Sequence, residues 1–524
     1  MPAAPPPRRP GPAAAATLAA SVGLLLPLVP GAPAASAQPV PPAAAERTPP
    51  TPPPQAPAPP VQRPPQRPLA ELLRLTDAVE RLGDAMPDGS AAGGVVLGLV
   101  EGGGAAYGPD PASSDFAGLE VELASGPAEP SAHAQKTASI LAGRRGVVGA
   151  ARKLIARDVS SWLGEAYLGV GSADPPVRDP EGPSVYSHSW VAFDGRSAIP
   201  ILRRLDFAID RDDVVHVVGV NNGADTAVPP TLAGSYNAIA VGVDTGNSSG
   251  GGTEHEEPGR SKPDLVAPGG LTSWATPAVA GVAALARDFL LARDGEAPPA
   301  EVVKAALMAA ATKPPGWAND PAAGRPLDAH LGAGRVDADG TLRVLDGGPH
   351  PVNSPIQRAA GWSFVEAPPA GELGLFWELE LGNDLGPFSV VATWHRRVAA
   401  RRVRVRLEKN GPVEPRWLTV PRLADLDLVL ERLDAGGGVV EEVAASRSRV
   451  DNVEHLFLPA TPAGRYRLRL EREEGDEPWD VAVAWRLRPA GEVAVEVAPE
   501  PEPEVVDEPE PVEEAPPGEE APVP

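Results

Sequence analysis

The stretch that most constrains the fold is residues 267–286, APGGLTSWATPAVAGVAALA, in which a Gly-rich turn is followed at once by a run of small apolar residues. A helix that is apolar on all sides belongs in the core of a large domain. Ser273 stands near its beginning, where backbone N–H groups and the helix dipole stabilise a negative charge that forms beside the hydroxyl. The stretch therefore indicates either a nucleophilic serine or a serine that caps a core helix.

The segments before this stretch alternate between short apolar runs and helical patterns. Buried strands are predicted within 93–104, 213–223 and 236–246, and the sequence AIPILRRLDFAID at 198–210 has a helical pattern. Strands that alternate with helices favour a parallel sheet with both faces covered. In such sheets the functional groups collect at the carboxyl ends of the strands.

Beyond residue 348 the pattern changes to short alternating segments without a long helix, such as FSVVATWHR, GRYRLRLERE and WDVAVAWRL. This pattern predicts an antiparallel β-sandwich over 349–488, with Trp394 and Trp485 in its core. Residues 489–524 follow with twelve Asp or Glu and no Lys or Arg, and they contain too little apolar surface to fold. This tail carries half of the net charge of −24. The rest of the chain is also acidic overall, so it has no excess of basic residues with which to bind nucleic acid.

The N-terminus has the features of a secretory signal. Arg8 and Arg9 precede a short apolar stretch at about 17–29, and small residues lead to a cleavage site after Ala37. We therefore expect residues 1–37 to be a signal peptide and the protein to be exported, into the medium, the periplasm or onto the cell surface. The chain has no Cys, which excludes disulfides and thiol catalysis.

Two further segments lie between the signal and the α/β pattern. Residues 38–68 are Pro-rich and predict an extended linker, and residues 69–92 predict a short amphipathic helix followed by more linker. No segment after the signal has 18 consecutive apolar residues without a charge, so none is expected to span a membrane.

The residues around Ser273 resemble the nucleophile motif of the subtilisin-like serine peptidases, Gly-Thr-Ser-x-Ala-Thr/Ser-Pro-x-Val-Ala-Gly. The matching positions are Thr272-Ser273, Ala275-Thr276-Pro277 and Val279-Ala280-Gly281. The resemblance extends over about 93–345. It implies a peptidase domain at 93–348, with a parallel sheet and helices on both faces, that acts on a peptide or protein and needs no organic cofactor.

The same resemblance implies roles for individual residues. Asn221, in VVHVVGVNNG, takes the place of the oxyanion-hole side chain, although Val220 replaces the usual Gly. Ser189 and Trp190, in SVYSHSW, lie where the family pairs with bound peptide. His188 and His216 are interpreted as structural histidines.

The resemblance also implies an unusual triad. Glu101 takes the place of the catalytic Asp at the end of the first strand. The segment HAQKTASILAG at 133–143, aligned through its last four residues with the family's His-Gly-Thr-His segment, puts Lys136 at the position assigned to the base. In this alignment His133 matches the first histidine of the family's segment, which is not the one assigned as the base. The implied triad is Glu101, Lys136 and Ser273.

Lysine has an ordinary pKa of about 10.4, and a neighbouring carboxylate favours its charged form. Two functions therefore stay open. In the first, Ser273 attacks a peptide bond and Lys136 with Glu101 replaces the His-Asp pair. In the second, a salt-bridged Lys136 leaves an inactive pseudopeptidase that only binds peptides. A third possibility is that the sandwich and the acidic tail carry the main role by attaching the protein to surface polymer or cations.

Metal binding is a minor expectation. Asp425, Asp427 and Asp451 are candidates for a calcium site, because hard cations prefer several carboxylate oxygens. The alternative is that they are turn and edge-strand acids without a metal.

Overall fold

The computed structural model describes residues 68–91, 94–164, 166–178, 182–192, 195–372, 374–406 and 412–489. All of them lie in one compact unit that begins at residue 65. The predicted signal peptide, the Pro-rich linker up to residue 67 and the acidic tail from residue 490 lie outside the described residues.

The first part of the described chain is an α/β domain around a seven-stranded sheet, all of whose neighbouring strands are parallel, as predicted. The strands, in the order β2-β3-β1-β4-β5-β6-β9, are β1 (Val96–Glu101), β2 (Glu120–Leu123), β3 (Lys153–Asp158), β4 (Val185–His188), β5 (Val215–Gly219), β6 (Ile239–Val243) and β9 (Leu265–Ala267). A short ribbon is formed by β7 (Gly251–Gly252) and β8 (Ser261–Lys262).

Helices cover both faces of this sheet. They are α1 (Leu69–Leu72), α2 (Leu75–Leu82), α3 (Ala132–Ala142), α4 (Val159–Leu163), α5 (Gly195–Asp212), α6 (Thr272–Asp294), α7 (Ala300–Ala310) and α8 (Ala338–Asp346). Alternation along β5 shows the two faces: Val217 lies in the core that contains α6, whereas Val218 lies in the core that contains α5. This two-sided burial explains why the strands are nearly continuous apolar runs.

Helix α6 is the predicted core helix. Every residue from Ala275 to Leu290 is buried. Among the described helices it is the one long and apolar enough to cross a membrane by length and composition, but 89% of its most apolar window is buried inside the domain. A Cβ on Gly281 would lie 2.5 Å from the Cβ of Val147, so the missing side chain lets α6 approach the segment that follows α3.

The second part is the predicted β-sandwich. One sheet has the order β10-β12-β19-β16-β17 and the other β11-β20-β13-β18, and a separate hairpin is formed by β14 and β15. The strands are β10 (Ser354–Pro355), β11 (Ala360–Ala367), β12 (Leu375–Leu381), β13 (Phe388–Thr393), β14 (Arg397–Arg406), β15 (Val413–Arg422), β16 (Asp425–Leu433), β17 (Val439–Ser446), β18 (Val453–Leu458), β19 (Gly464–Glu474) and β20 (Trp479–Leu487). Trp394 and Trp485 are fully buried between the sheets, as predicted.

The two parts are joined by apolar contact. Helix α7 packs against β13 and β20 of the sandwich. Val391 and Ala482 of the sandwich therefore belong to the same hydrophobic cluster as Val303 and Ala306 of α7. The sandwich and the α/β domain share this core, so each stabilises the other.

Candidate active site

The candidate site lies at the carboxyl edge of the parallel sheet. Glu101 is the last residue of β1, Ser189 follows β4 directly, and Asn222 comes shortly after β5. Helix α6 begins soon after β9 and carries Ser273 as its second residue. Because neighbouring parallel strands end at one edge, residues that are far apart in sequence meet there.

The centre of the site is a hydrogen-bonded acid and histidine. Glu101 is 2% exposed, and its Oε2 lies 2.8 Å from Nδ1 of His133 in α3. The hydroxyl of Thr137 donates to Oε1 of the same carboxylate at 2.6 Å. Ser131 caps the start of α3 by accepting from the N–H of Ala134. The cap fixes the helix so that His133 and Thr137, one turn apart, both face the carboxylate.

The electrostatics follow from this contact. The hydrogen bond with Glu101 is the largest influence on the pKa of His133 and raises it. Partial burial of the ring and the positive charge of Lys136 lower the same pKa, but the net direction is upward. Glu101 therefore favours the protonated imidazole, as an acid that stabilises a catalytic imidazolium does.

The predicted pairing of Glu101 with Lys136 is wrong. Both carboxylate oxygens of Glu101 are already engaged by His133 and Thr137. The Lys136 ammonium instead lies 3.9 Å from the ring centroid of Trp274, a cation–π contact. The spacing of His133 and Thr137 at i and i+4 was the sequence signal for the observed pairing.

Ser273 is held by a contact that its own helix makes necessary. In a regular α-helix the carbonyl of Ser273 would accept from the N–H four residues later, but that residue is Pro277, which has none. The hydroxyl of Ser189 supplies the missing donor, 3.1 Å from the Ser273 carbonyl oxygen. Ser189 was predicted to bind substrate, and the contact that the structure shows for it positions the serine-bearing helix.

The other predicted substrate contact, Trp190, lies at the end of the same strand. Its ring is half-buried, 6.2 Å from that of His188. The indole nitrogen is buried and has no hydrogen-bond partner within the described chain. Its role in binding substrate stays a prediction.

On the oxyanion side, the turn after β5 contacts the start of α6. Oδ1 of Asn222 accepts from the N–H of Thr272 at 2.9 Å and from its hydroxyl at 3.0 Å. The backbone of the predicted residue, Asn221, is tied on both sides to Ser249. The next residue in the turn therefore contacts the start of α6, and the oxyanion-hole role of the Asn221 side chain stays a prediction.

His188 and His216 form a buried pair next to the site. Their ring nitrogens are 3.0 Å apart, and they pack among Trp162, Tyr167 and Tyr186. Burial lowers the pKa of His188 to about 3 and that of His216 well below its ordinary value. Both rings are neutral near pH 7, in agreement with a structural role.

The three acids considered for calcium do not form a ligand set. Asp451 accepts from Ser448, and burial raises its pKa to about 6. Asp427 lies 3.4 Å from the guanidinium of Arg447. Asp425 is not grouped with either of them in a metal-capable cluster within the described residues.

A different group in the described ranges has metal-ligand geometry. The ligand atoms of Asp210, Glu301 and His395 all lie within 4.8 Å of one another, with Nδ1 of His395 3.1 Å from Oε1 of Glu301. Imidazole and carboxylate are ligands that divalent metals accept. The ion pair between the carboxylates and a protonated His395 would explain the same geometry without a metal.

Together, the fold and the site define a parallel α/β domain with an acid, a histidine and a serine-bearing helix at one edge of its sheet, the arrangement of a serine hydrolase. Residues 120–334 match the model of the subtilase family. Over these residues the α/β domain of this chain is similar to that family.

Three solved structures illustrate what the chain is similar to. The prenylagaramide maturation protease PagA is 19% identical over 51% of this chain and 98% of its own, with a TM-score of 0.37. The patellamide maturation protease PatA is 24% identical over 48% and 97%, with a TM-score of 0.33. A lanthipeptide protease is 17% identical over 53% and 93%, with a TM-score of 0.35. No curated protein matches the chain.

Proposed function

We propose that this protein is a serine peptidase in which Ser273 is the nucleophile, His133 the general base and Glu101 the carboxylate that orients the base. The observation that carries the proposal is the 2.8 Å contact between Glu101 Oε2 and His133 Nδ1. A carboxylate at Nδ1 keeps the proton on that nitrogen and leaves Nε2 free to accept one. The ring of His133 lies 5.2 Å from that of Trp274, the residue after the serine.

The chemistry follows from these positions. His133 accepts the hydroxyl proton as Ser273 Oγ forms a bond to the peptide carbonyl carbon, and the electron pair of the carbonyl moves to its oxygen. The N–H of Ser273 has no acceptor within the described chain, and with the side-chain amide of Asn221 it stabilises this oxyanion. His133 then gives its proton to the nitrogen of the leaving amine as the C–N bond breaks. Water repeats the sequence on the acyl-enzyme and releases the second product.

Lys136 has no proton-transfer role in this scheme. Its ammonium lies over Trp274 and lowers the pKa of His133, which opposes the effect of Glu101. We propose that it tunes the base and shapes the wall of the site beside the nucleophile.

The second candidate function is peptide binding without turnover. One observation favours it: in the described part of the chain, the Ser273 hydroxyl makes no hydrogen bond to His133. Catalytic hydrogen bonds are often long before substrate binds, so this geometry also fits a peptidase.

Labelling with a fluorophosphonate probe tests the proposal. We expect stoichiometric labelling of the purified chain, no labelling of Ser273→Ala, and severe loss in His133→Ala. Lys136→Met is the matched control, since it removes the predicted alternative base, and we expect it to label. Loss in Lys136→Met with retention in His133→Ala would identify lysine as the base. Silence of the unmodified chain at every pH would establish the binding function instead.

We also propose that the protein is exported. The support is the basic start, the apolar stretch and the small residues that precede Gln38 in the sequence. N-terminal sequencing of the protein from the extracytoplasmic fraction should begin at Gln38. Recovery of the uncleaved chain in the cytoplasm alone would contradict export.

A further inference from the structure

The wall of the candidate site beside the nucleophile carries an exposed cation. Lys136 is exposed, and its ammonium lies 3.9 Å from the ring centroid of Trp274. Trp274 directly follows Ser273 on α6, and its ring lies 5.2 Å from the ring of His133. The ammonium, the indole and the imidazole therefore line one wall of the site next to Ser273.

Within the described ranges of the chain, no carboxylate forms an ion pair with Lys136. Glu101, the acid at the centre of the site, is engaged through both of its oxygens by His133 and Thr137. The face of Trp274 attracts the ammonium and holds it in place, but it leaves the positive charge of the ammonium intact. Lys136 is therefore a positioned cation that is open to an anion from solvent.

The position of the ammonium limits which part of a substrate it can reach. His133 and Lys136 are three residues apart on α3, so they are neighbours on the surface of the helix. The positive charge of Lys136 lowers the pKa of His133, so the ammonium is close enough to act on the ring. The sum of the two ring distances, about 9 Å, is the greatest separation of the ammonium from the His133 ring, and an extended peptide covers it in about three residues.

We propose that Lys136 and Trp274 form a subsite for a carboxylate of the peptide substrate, from an acidic side chain or from the C-terminus, within about three residues of the bond that is cut. This inference rests on the proposed peptidase function and names the class of peptide that the site takes. An ammonium donates charge-assisted hydrogen bonds to a carboxylate. A bound peptide also displaces water from the contact, which strengthens the attraction between the two charges.

The test compares the cleavage of two sets of synthetic peptides by the full chain. The peptides have neutral residues, an acetylated N-terminus and an amidated C-terminus, and they carry either Glu or Gln at one central position. We expect kcat/KM to be about five- to tenfold higher for the Glu peptides, which lies between the effect of an exposed ion pair and that of a hydrogen bond to a charged group. The cleaved bonds, located by mass spectrometry, should lie within about three residues of the Glu. High ionic strength should reduce the preference, because salt screens exposed charges.

Variants at position 136 identify the cation. In Lys136→Met the Glu and Gln peptides should be cleaved at equal rates, whereas Lys136→Arg keeps a positive charge and should keep the preference for Glu. The ratio of the two rates is the readout, because the effect of Lys136 on the pKa of His133 changes the cleavage of both peptides equally. Arg145→Met is the matched control: it removes an exposed positive charge beyond the end of α3 and should leave the ratio unchanged.

The peptide ends identify the source of the carboxylate. A preference for Glu in amidated peptides assigns the subsite to an acidic side chain. Cleavage close to the free C-terminus in both sets, lost when that end is amidated and lost in Lys136→Met, assigns the subsite to a terminal carboxylate.

The inference and the proposed function can fail separately. Labelling by a neutral fluorophosphonate probe, together with equal cleavage of Glu and Gln peptides and no preference for a free C-terminus, would overturn the subsite and leave the peptidase in place. Equal reduction of the ratio by Lys136→Met and Arg145→Met would replace the subsite with a general effect of net charge. Absence of labelling and of cleavage would overturn the peptidase. Fluorescent forms of the same peptides then test the subsite by anisotropy, and equal affinity of the chain for all of them would overturn it.

Discussion

Replacing Glu101 with Gln gives the sharpest test of the proposed site, because the structure fixes how the new amide must turn. The Thr137 hydroxyl donates at 2.6 Å to the carboxylate oxygen that faces away from His133. In Glu101→Gln the amide oxygen stays beside Thr137, and the NH₂ group faces Nδ1 of His133. Nδ1 then has to accept, so the ring proton moves to Nε2 and the base is blocked.

The size of the effect has two parts. Loss of the correct tautomer in a Ser-His-Asp enzyme costs about 10⁴-fold in rate, which is the known case for an Asp-to-Asn change. Turning the amide around would restore the tautomer at the cost of the Thr137 hydrogen bond, about 0.5–1.5 kcal/mol. Thr137 has alternative acceptors in the carbonyls of His133 and Ala134, so the cost does not exceed about 1 kcal/mol. At about 1 kcal/mol, roughly one molecule in six keeps the right tautomer, so we expect labelling to fall by about sixfold if the amide turns, and by up to about 10⁴-fold if it does not.

The assay is the second-order rate of fluorophosphonate labelling across pH. In Glu101→Gln the acid limb should also move to lower pH, because the main influence that raises the pKa of His133 is gone. The double variant with Thr137→Val removes the donor that fixes the amide, and should label up to about fivefold faster than Glu101→Gln alone. Thr137→Val by itself is the control. Labelling of Glu101→Gln at the unmodified rate would refute the orienting role of Glu101.

Three further predictions concern stability, measured by urea unfolding. Ser189→Ala removes the donor to the carbonyl of the nucleophile and should cost about 1–3 kcal/mol, whereas Ser187→Ala, which removes a buried hydroxyl without a partner in the described chain, should be nearly neutral. Burial lowers the pKa of His188 to about 3 and that of His216 well below its ordinary value, so below pH 6.5 the unfolded chain takes up both protons before the folded chain does. As the pH falls from 6.5 towards 3, the free energy of unfolding should fall by about 1.4 kcal/mol per pH unit for each histidine, and replacing both with Gln should flatten that slope. Asp337 is buried and pairs with Arg74 at 2.9 Å and with Arg486 at 2.7 Å, so Asp337→Asn removes a buried charge from both pairs and should cost about 3–5 kcal/mol; a loss under 1 kcal/mol would contradict the pairing.

The sheet, the core helix and the sandwich were predictable because each depends on local pattern. The apolar run behind Ser273 has no polar face, so it had to become a buried helix, and α6 is buried from Ala275 to Leu290. Strands such as β5 are apolar on both faces because helices cover both, and the alternating segments after residue 348 formed antiparallel strands. Periodicity records which faces are buried, and burial decides these elements.

The pairing within the site was not predictable in the same way. Alignment placed both His133 and Lys136 near Glu101, and a choice between them depends on where α3 begins. Ser131 sets that beginning, and with it the face on which His133 and Thr137 lie. The contact between Asn222 and the start of α6 was not predictable either, because it depends on the conformation of the turn after β5.

The contact between Ser189 and Ser273 shows what a motif contains beyond its catalytic residue. Pro277 belongs to the motif that identified the nucleophile, but its missing N–H leaves the Ser273 carbonyl without a helical donor. That carbonyl needs a partner from elsewhere, and the residue at the end of β4 provides it. The proline therefore ties the serine-bearing helix to the neighbouring strand, which fixes the nucleophile relative to the edge where Glu101 holds His133. A substitution at Pro277 that restores the helical N–H would weaken the requirement for Ser189, so the two positions are energetically coupled although 88 residues separate them.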